Sequence, residues 1–194
     1  MAKVIESVRT TEPHPLLVDL GDFTGDPIEG GEVDGEIARR ERGRITLEAL
    51  GLMGYDALVP GERDLTLGVE DLQQAASAAG INLLGTNLEL DDPAEALGLR
   101  ELWLDTLVGQ VALVGISAPL DELQLEAAAR GHGRPLRVTD PRVSLRDWLP
   151  ELEQQAALVV ILAHGPTDWA RGLLAALDGQ YVMIVAHDEE APAW

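Results

Sequence analysis

Short runs of aliphatic and β-branched residues alternate along this chain with longer amphipathic segments, and that alternation restricts the fold more than any other feature. Leu16–Leu20 (LLVDL) reads as a buried strand ending at Gly21. Glu36–Leu52 reads as a helix, with Ile37, Ile45, Leu47 and Leu50 set among Arg and Glu. Ala57–Val59 is a short strand stopped by Pro60-Gly61. Val69–Ala79 is a helix closed by Gly80, and Ile81–Thr86 is the next strand.

Leu102–Val108 and Val111–Ser117 read as a hairpin turning through Gly109-Gln110. Residues 118–142 contain Pro119, Gly131, Gly133, Pro135 and Pro141, and read as an irregular surface excursion with a short helix at Glu122–Arg130. Ser144–Ala156 is a helix with Ser144 as its N-cap and Asp147 at its third position. Leu158–Ala163 (LVVILA) is the most apolar strand, followed by a helix at Asp168–Leu177 and a strand at Tyr181–Ala186. Ala2–Arg9 reads as a further helix. Strand and helix recur at βαβ spacing, so the expected fold class is α/β, layered around a mostly parallel sheet with one inserted hairpin. No repeat or linker divides residues 1–194, and one domain is expected.

Composition then removes function classes. The formal net charge is −20, from 34 acidic and 14 basic side chains. Nucleic acid and anionic membrane surfaces would be repelled, so neither is an expected partner. No apolar run reaches the roughly 20 residues needed to span a bilayer. With no signal peptide in the sequence as written, the expected location is cytoplasmic, or exported if the chain is a processed product. There is no Cys, which removes disulfide scaffolds and thiolate metal sites. The acidity is spread through a chain that is 46% hydrophobic, which favours a packed core over disorder.

In parallel α/β sheets, ligands bind beyond the carboxyl ends of the strands. Those positions hold Gly21-Asp22, then Gly61-Glu62-Arg63-Asp64, then Asn87, His164, and finally His187-Asp188-Glu189. Oxygen and imidazole groups at several equivalent strand ends suit Zn, Mn, Fe or Ni. Each also has a plainer role. Asp22 fits a turn, His164 a backbone-satisfied core histidine, Glu62-Arg63-Asp64 a local ion pair, and 187–190 a solvated acidic stretch. His14 and His132 lie in polar loops and are read as incidental.

The order of these motifs resembles the calcineurin-like metallophosphoesterases, and within them the 5′-nucleotidase branch. LLVDLGDFTGDP (16–27) looks like that branch's Gly-Asp segment. MGYDALVPGERDLTLGVEDL (53–72) looks like its stretch around Gly-Asn-His-Glu/Asp, and is the most specific part. INLLGTNLEL (81–90) and VGQVALVGISAP (108–119) are similar to the strands that follow. LVVILAHG (158–165) resembles the isolated-His segment and YVMIVAHDEE (181–190) the Gly-His-x-His segment.

The resemblance implies a layered βαβ fold with mixed, mostly parallel sheets and a two-metal site bridged by Asp22. It also implies departures. The strand carrying the first motif, Asp-x-His, and a C-terminal substrate domain are expected to be absent. Glu62 stands where the branch has Asn, Arg63 where it has the His that assists the leaving group, and Glu189 where it has a second His. The first metal, which would use Asp-x-His, Asp22 and position 189, is then expected to be lost. The second would use Asp22, Glu62, His164 and His187, a two-His, two-carboxylate set suited to one Mn, Zn or Fe. Arg63 is the expected phosphate contact. The resulting expectation is a degenerate phosphoesterase with little or no hydrolysis, serving as a binding or assembly module with one divalent metal or none. The alternatives are a metal-dependent phosphoesterase using one metal, or completed by a partner or a missing segment, and a purely structural subunit of a larger complex. An open sheet edge is the expected route to a protein partner or a second copy.

Overall fold

The structure, a computed structural model, describes residues 2–12, 15–24, 32–90, 97–107, 109–120 and 136–187, the side chains of 32–34 and 36 excepted. The expected helix at Glu122–Arg130, together with His14, His132 and Glu189, lies outside these residues. The elements in order are α1 (Ala2–Thr11), β1 (Val18–Asp19), α2 (Glu32–Leu52), β2 (Ala57–Leu58), α3 (Glu62–Leu65), α4 (Val69–Ala79), β3 (Asn82–Leu83), β4 (Leu88–Leu90), β5 (Glu101–Thr106), β6 (Gly109–Ser117), β7 (Leu136–Val138), α5 (Pro141–Glu153), β8 (Leu158–His164), α6 (Thr167–Leu174) and β9 (Val182–Ala186).

Two sheets and an antiparallel pair result. β1-β2-β3 is wholly parallel, as βαβ connections require. The second sheet runs β5-β6-β8-β9, parallel except for the β5–β6 hairpin. β6 shows why these strands read as continuous apolar runs: both of its faces are covered. Ala112, Val114 and Ile116 pack with Leu145, Leu149 and Leu152 of α5. Val111 and Leu113 face the other way, with Ala57, Val59 and Leu84 of the first sheet. Helices α2 and α4 cover the outer face of the first sheet through Leu47, Leu50, Leu72 and Ala76. The layers are therefore helix, sheet, sheet, helix. At Gly115 a Cβ would lie 2.5 Å from Leu84 Cβ and 2.9 Å from Val59 Cγ2, so only glycine lets the sheets approach there.

The structure corrects several element boundaries. Thr106 pairs with Gly109, so the hairpin turns between them, and Gly109 and Gln110 belong to β6. α5 begins at Pro141 rather than Ser144. Asp140 caps it by accepting the Arg142 N–H at 2.9 Å, and Pro141 supplies the preset first-turn φ. The Ser144 hydroxyl instead lies 2.9 Å from that of Thr139. β4 and β7 form a pair where loop was expected. Helix α6 stops at Leu174, and α2 starts at Glu32.

Asn87, expected only as a polar strand end, is a clamp between these parts. It is fully buried. Its amide donates to the Ser117 and Thr139 carbonyls, and its oxygen accepts the Ser117 N–H at 3.0 Å. Asn87→Ala orphans those groups and is expected to lower the unfolding free energy by about 2–4 kcal/mol, measured by urea denaturation.

Among the described residues β1 and β9 each pair on one side only. Val182 and Ile184 of β9 lie opposite Val160 and Leu162, whose side chains belong to the inter-sheet core, yet they are 47% and 43% exposed. No described helix is long and apolar enough to cross a membrane.

Candidate metal centre

The site sits where β1, β8 and β9 and the short helix α3 end or begin. β1 leads into Gly21 at φ +93° and Asp22 at φ +59°, two successive left-handed residues. The turn brings the Gly21 and Gly61 backbones together. A Cβ on Gly21 would lie 2.4 Å from Gly61 N, and one on Gly61 would lie 2.3 Å from Asp22 Oδ1 and 2.6 Å from His164 Cε1. Two glycines are thus needed for Asp22 and His164 to converge.

His164 ends β8 and is buried. Its Nδ1 lies 2.5 Å from the Leu20 carbonyl oxygen. A carbonyl only accepts, so Nδ1 carries a hydrogen and donates it there, and Nε2 faces the site. Nε2 lies 2.8 Å from Glu62 Oε2, and His187 Nε2 lies 3.0 Å from Glu62 Oε1. The two imidazoles meet edge to face, with ring centres 5.1 Å apart. Asp22 Oδ1 is 3.8 Å from His164 Nε2. Burial pushes the Glu62 carboxyl up, but hydrogen bonds from His164, its own backbone and His187 outweigh it and hold it below the usual carboxylate range.

One ligand atom from each of Asp22, Glu62, His164 and His187 lies within 4.8 Å of all the others. Ligand atoms about 2.1 Å from a cation sit roughly 3–3.4 Å from one another at tetrahedral or adjacent octahedral angles, so this donor set could hold one divalent ion once the side chains draw together. The backbone carbonyl on His164 Nδ1 is the usual partner that orients a metal-binding imidazole.

Arg63 lies beside this group. Its backbone N–H donates to Asp22 Oδ1 at 3.1 Å and its Nε lies 3.6 Å from Asp22 Oδ2. With Leu20, Gly21, Asp22, His164, Ala186 and His187 it lines a cavity of about 250 Å³. Four of the six residues singled out from sequence therefore form one group, Arg63 borders it, and Glu189 is outside the described residues.

Asp64 stands at one of the strand ends picked out from sequence, but sequence reasoning missed its role. Read as part of a surface ion pair, it is fully buried instead. It accepts the N–H groups of Asp22 at 2.7 Å, Gly61 at 3.0 Å and Thr24 at 3.2 Å. Burial pushes its carboxyl up to about 7, against the pull of those N–H groups. The legible signal was an acid three residues after Gly61, the capping position of a short helix.

No protein-family model and no curated protein matches this sequence. Solved structures do match. The sulfate thiohydrolase SoxB of Thermus thermophilus superposes with a TM-score of 0.75 at 18% identity, over 95% of this chain and 33% of that one. A 5′-nucleotidase precursor of Thermus thermophilus gives 0.70 at 17% identity, over 96% and 35%. A calcineurin-like phosphoesterase of Bacillus subtilis gives 0.63 at 20% identity, over 84% and 52%. The chain has a calcineurin-like metallophosphoesterase fold of the 5′-nucleotidase kind. It spans about a third to a half of the length of these proteins. Within this metallophosphoesterase fold, the four-residue group occupies the carboxyl ends of the parallel strands, where ligands are expected.

Proposed function

We propose that this domain holds one divalent cation, Mn, Zn or Fe, on Asp22, Glu62, His164 and His187, and binds phosphate esters there with little or no hydrolysis. The observation carrying this reading is the convergence of those four ligand atoms. A bound cation would supply Lewis acidity and positive charge for phosphate oxygens. The chain's own residues do the rest. Glu62 spans both imidazoles and fixes their spacing. Gly21 and Gly61 leave room for Asp22. Arg63, on the cavity wall, offers N–H donors to an oxyanion.

Arg63 also supports the low-turnover part of the reading, because a guanidinium holds its proton too tightly to protonate a leaving group near neutral pH. Two-metal phosphoester hydrolysis uses a pair of ions to clamp both the attacking and the leaving oxygen. Among the described residues one ligand group is present. The similar 5′-nucleotidase suggests nucleotides as the esters to try first.

Protein loaded with Mn or Zn is expected to bind inorganic phosphate in calorimetry and to turn over p-nitrophenyl phosphate and AMP at background rate. Robust turnover that Asp22→Ala abolishes contradicts this and favours the alternative, a phosphoesterase working with one metal or completed by a partner.

One observation favours a second reading, a subunit that associates through its sheet edge. Val182 and Ile184 leave part of the inter-sheet core uncovered along β9, and strand edges of this kind recruit further strands. Association in light scattering that Ile184→Lys abolishes would support it.

A further inference from the structure

We propose that Asp19 is a positioning residue for the metal centre, locking the left-handed turn that aims Asp22 without being one of the ligands. The inference rests on the one-cation reading above. Asp19 lies in β1, with its Cα opposite Leu58. Its Oδ1 accepts the Gly21 N–H at 2.9 Å, at the entry to the first of the two left-handed residues. Asp residues close turns in this way by bonding their own backbone two positions on. A non-glycine residue in the left-handed region persists only where its surroundings hold it, and Asp22 is such a residue.

Two further contacts hold Asp22 from the far side: Asp64 takes its N–H, and the Arg63 N–H meets its carboxylate. The hydrogen bond from Gly21 to Asp19 is the one that acts from the strand. Remove it and Gly21, which tolerates many conformations, no longer transmits the direction of β1 to Asp22. Asp19 has no atom in the group of four that share a centre, so it acts through the turn. Burial pushes its carboxyl up, against the pull of the Gly21 N–H.

The test compares Asp19→Ala and Asp19→Asn with the unaltered chain. Three readouts are needed: Zn affinity by chelator competition, melting temperature, and amide hydrogen exchange at Gly21 and Arg63. Asp19→Ala is expected to weaken Zn roughly 10–100-fold, as loss of other orienting partners does. It should also speed exchange at Gly21 and at Arg63, whose N–H acceptor is Asp22. Asp19→Asn keeps the oxygen and should restore slow exchange and most of the affinity. A merely structural role lowers the melting temperature of both variants and leaves Zn affinity within about twofold, and that result overturns the proposal. If the unaltered chain binds no Zn, the one-cation reading fails separately. The exchange data then decide: unchanged exchange at Arg63 in Asp19→Ala overturns the positioning role, and accelerated exchange rescued by Asp19→Asn sustains it.

Discussion

Replacing Asp64 with Ala is expected to lower the unfolding free energy by at least about 3 kcal/mol. Three backbone N–H groups converge on this side chain, from Asp22, Gly61 and Thr24. Each loses its acceptor at a buried position, at about 1–3 kcal/mol apiece, and the burial cost of the carboxylate is relieved in part exchange. For a domain of this size the melting temperature should fall by roughly 6–12 °C.

The effect depends on pH, with a definite sign. Burial raises the folded-state pKa of Asp64 from its ordinary 3.8 to about 7. Below pH 3.8 both states carry the proton, and the group's contribution to stability is fully present. Between pH 3.8 and 7 the unfolded chain releases the proton more readily than the folded one, so that contribution declines as pH rises. The penalty of Asp64→Ala should therefore be larger at pH 5 than at pH 8 in urea denaturation. A penalty that grows with pH, or one below about 1 kcal/mol throughout, contradicts this account of the site.

His164→Ala carries the second large effect. The imidazole links the Leu20 carbonyl to Glu62 and is nearly solvent-free. Its removal deletes a ligand and leaves Glu62 without one of its two imidazole partners. Zn or Mn affinity is expected to fall by roughly a hundredfold or more, since loss of an outer partner alone costs up to that much. Circular dichroism should show the fold retained, because α5 and α6 still cover the sheet through Leu145, Leu149 and Leu173. Unchanged metal affinity in this variant would remove His164 from the centre.

Much of this site is legible in sequence because parallel strands announce themselves. LVVILA is apolar on both faces, so β8 and the position of His164 at its end follow from pattern alone. Gly21-Asp22 and His187 are found by the same rule. Asp64 falls at a strand end as well, but its role does not follow from that, because charge says nothing of burial, and two of its three donors come from about 40 residues away. The β4–β7 pair is hidden for a related reason. Its strands hold three residues each, too few for a period, and pairing Leu88–Leu90 with Leu136–Val138 is a long-range contact. The start of α5 was obscured by a competing local signal. Ser144 is a good cap in isolation, but Asp140 followed by Pro141 is a better one.

The central claim is that four side chains converge to hold one cation. Its most direct test is the metal content of the full chain after reconstitution with Zn or Mn and removal of loosely held ions, read by mass spectrometry against protein concentration. One ion per chain, lost in His164→Ala, is the predicted result. No retained ion, or two held equally tightly, would contradict it.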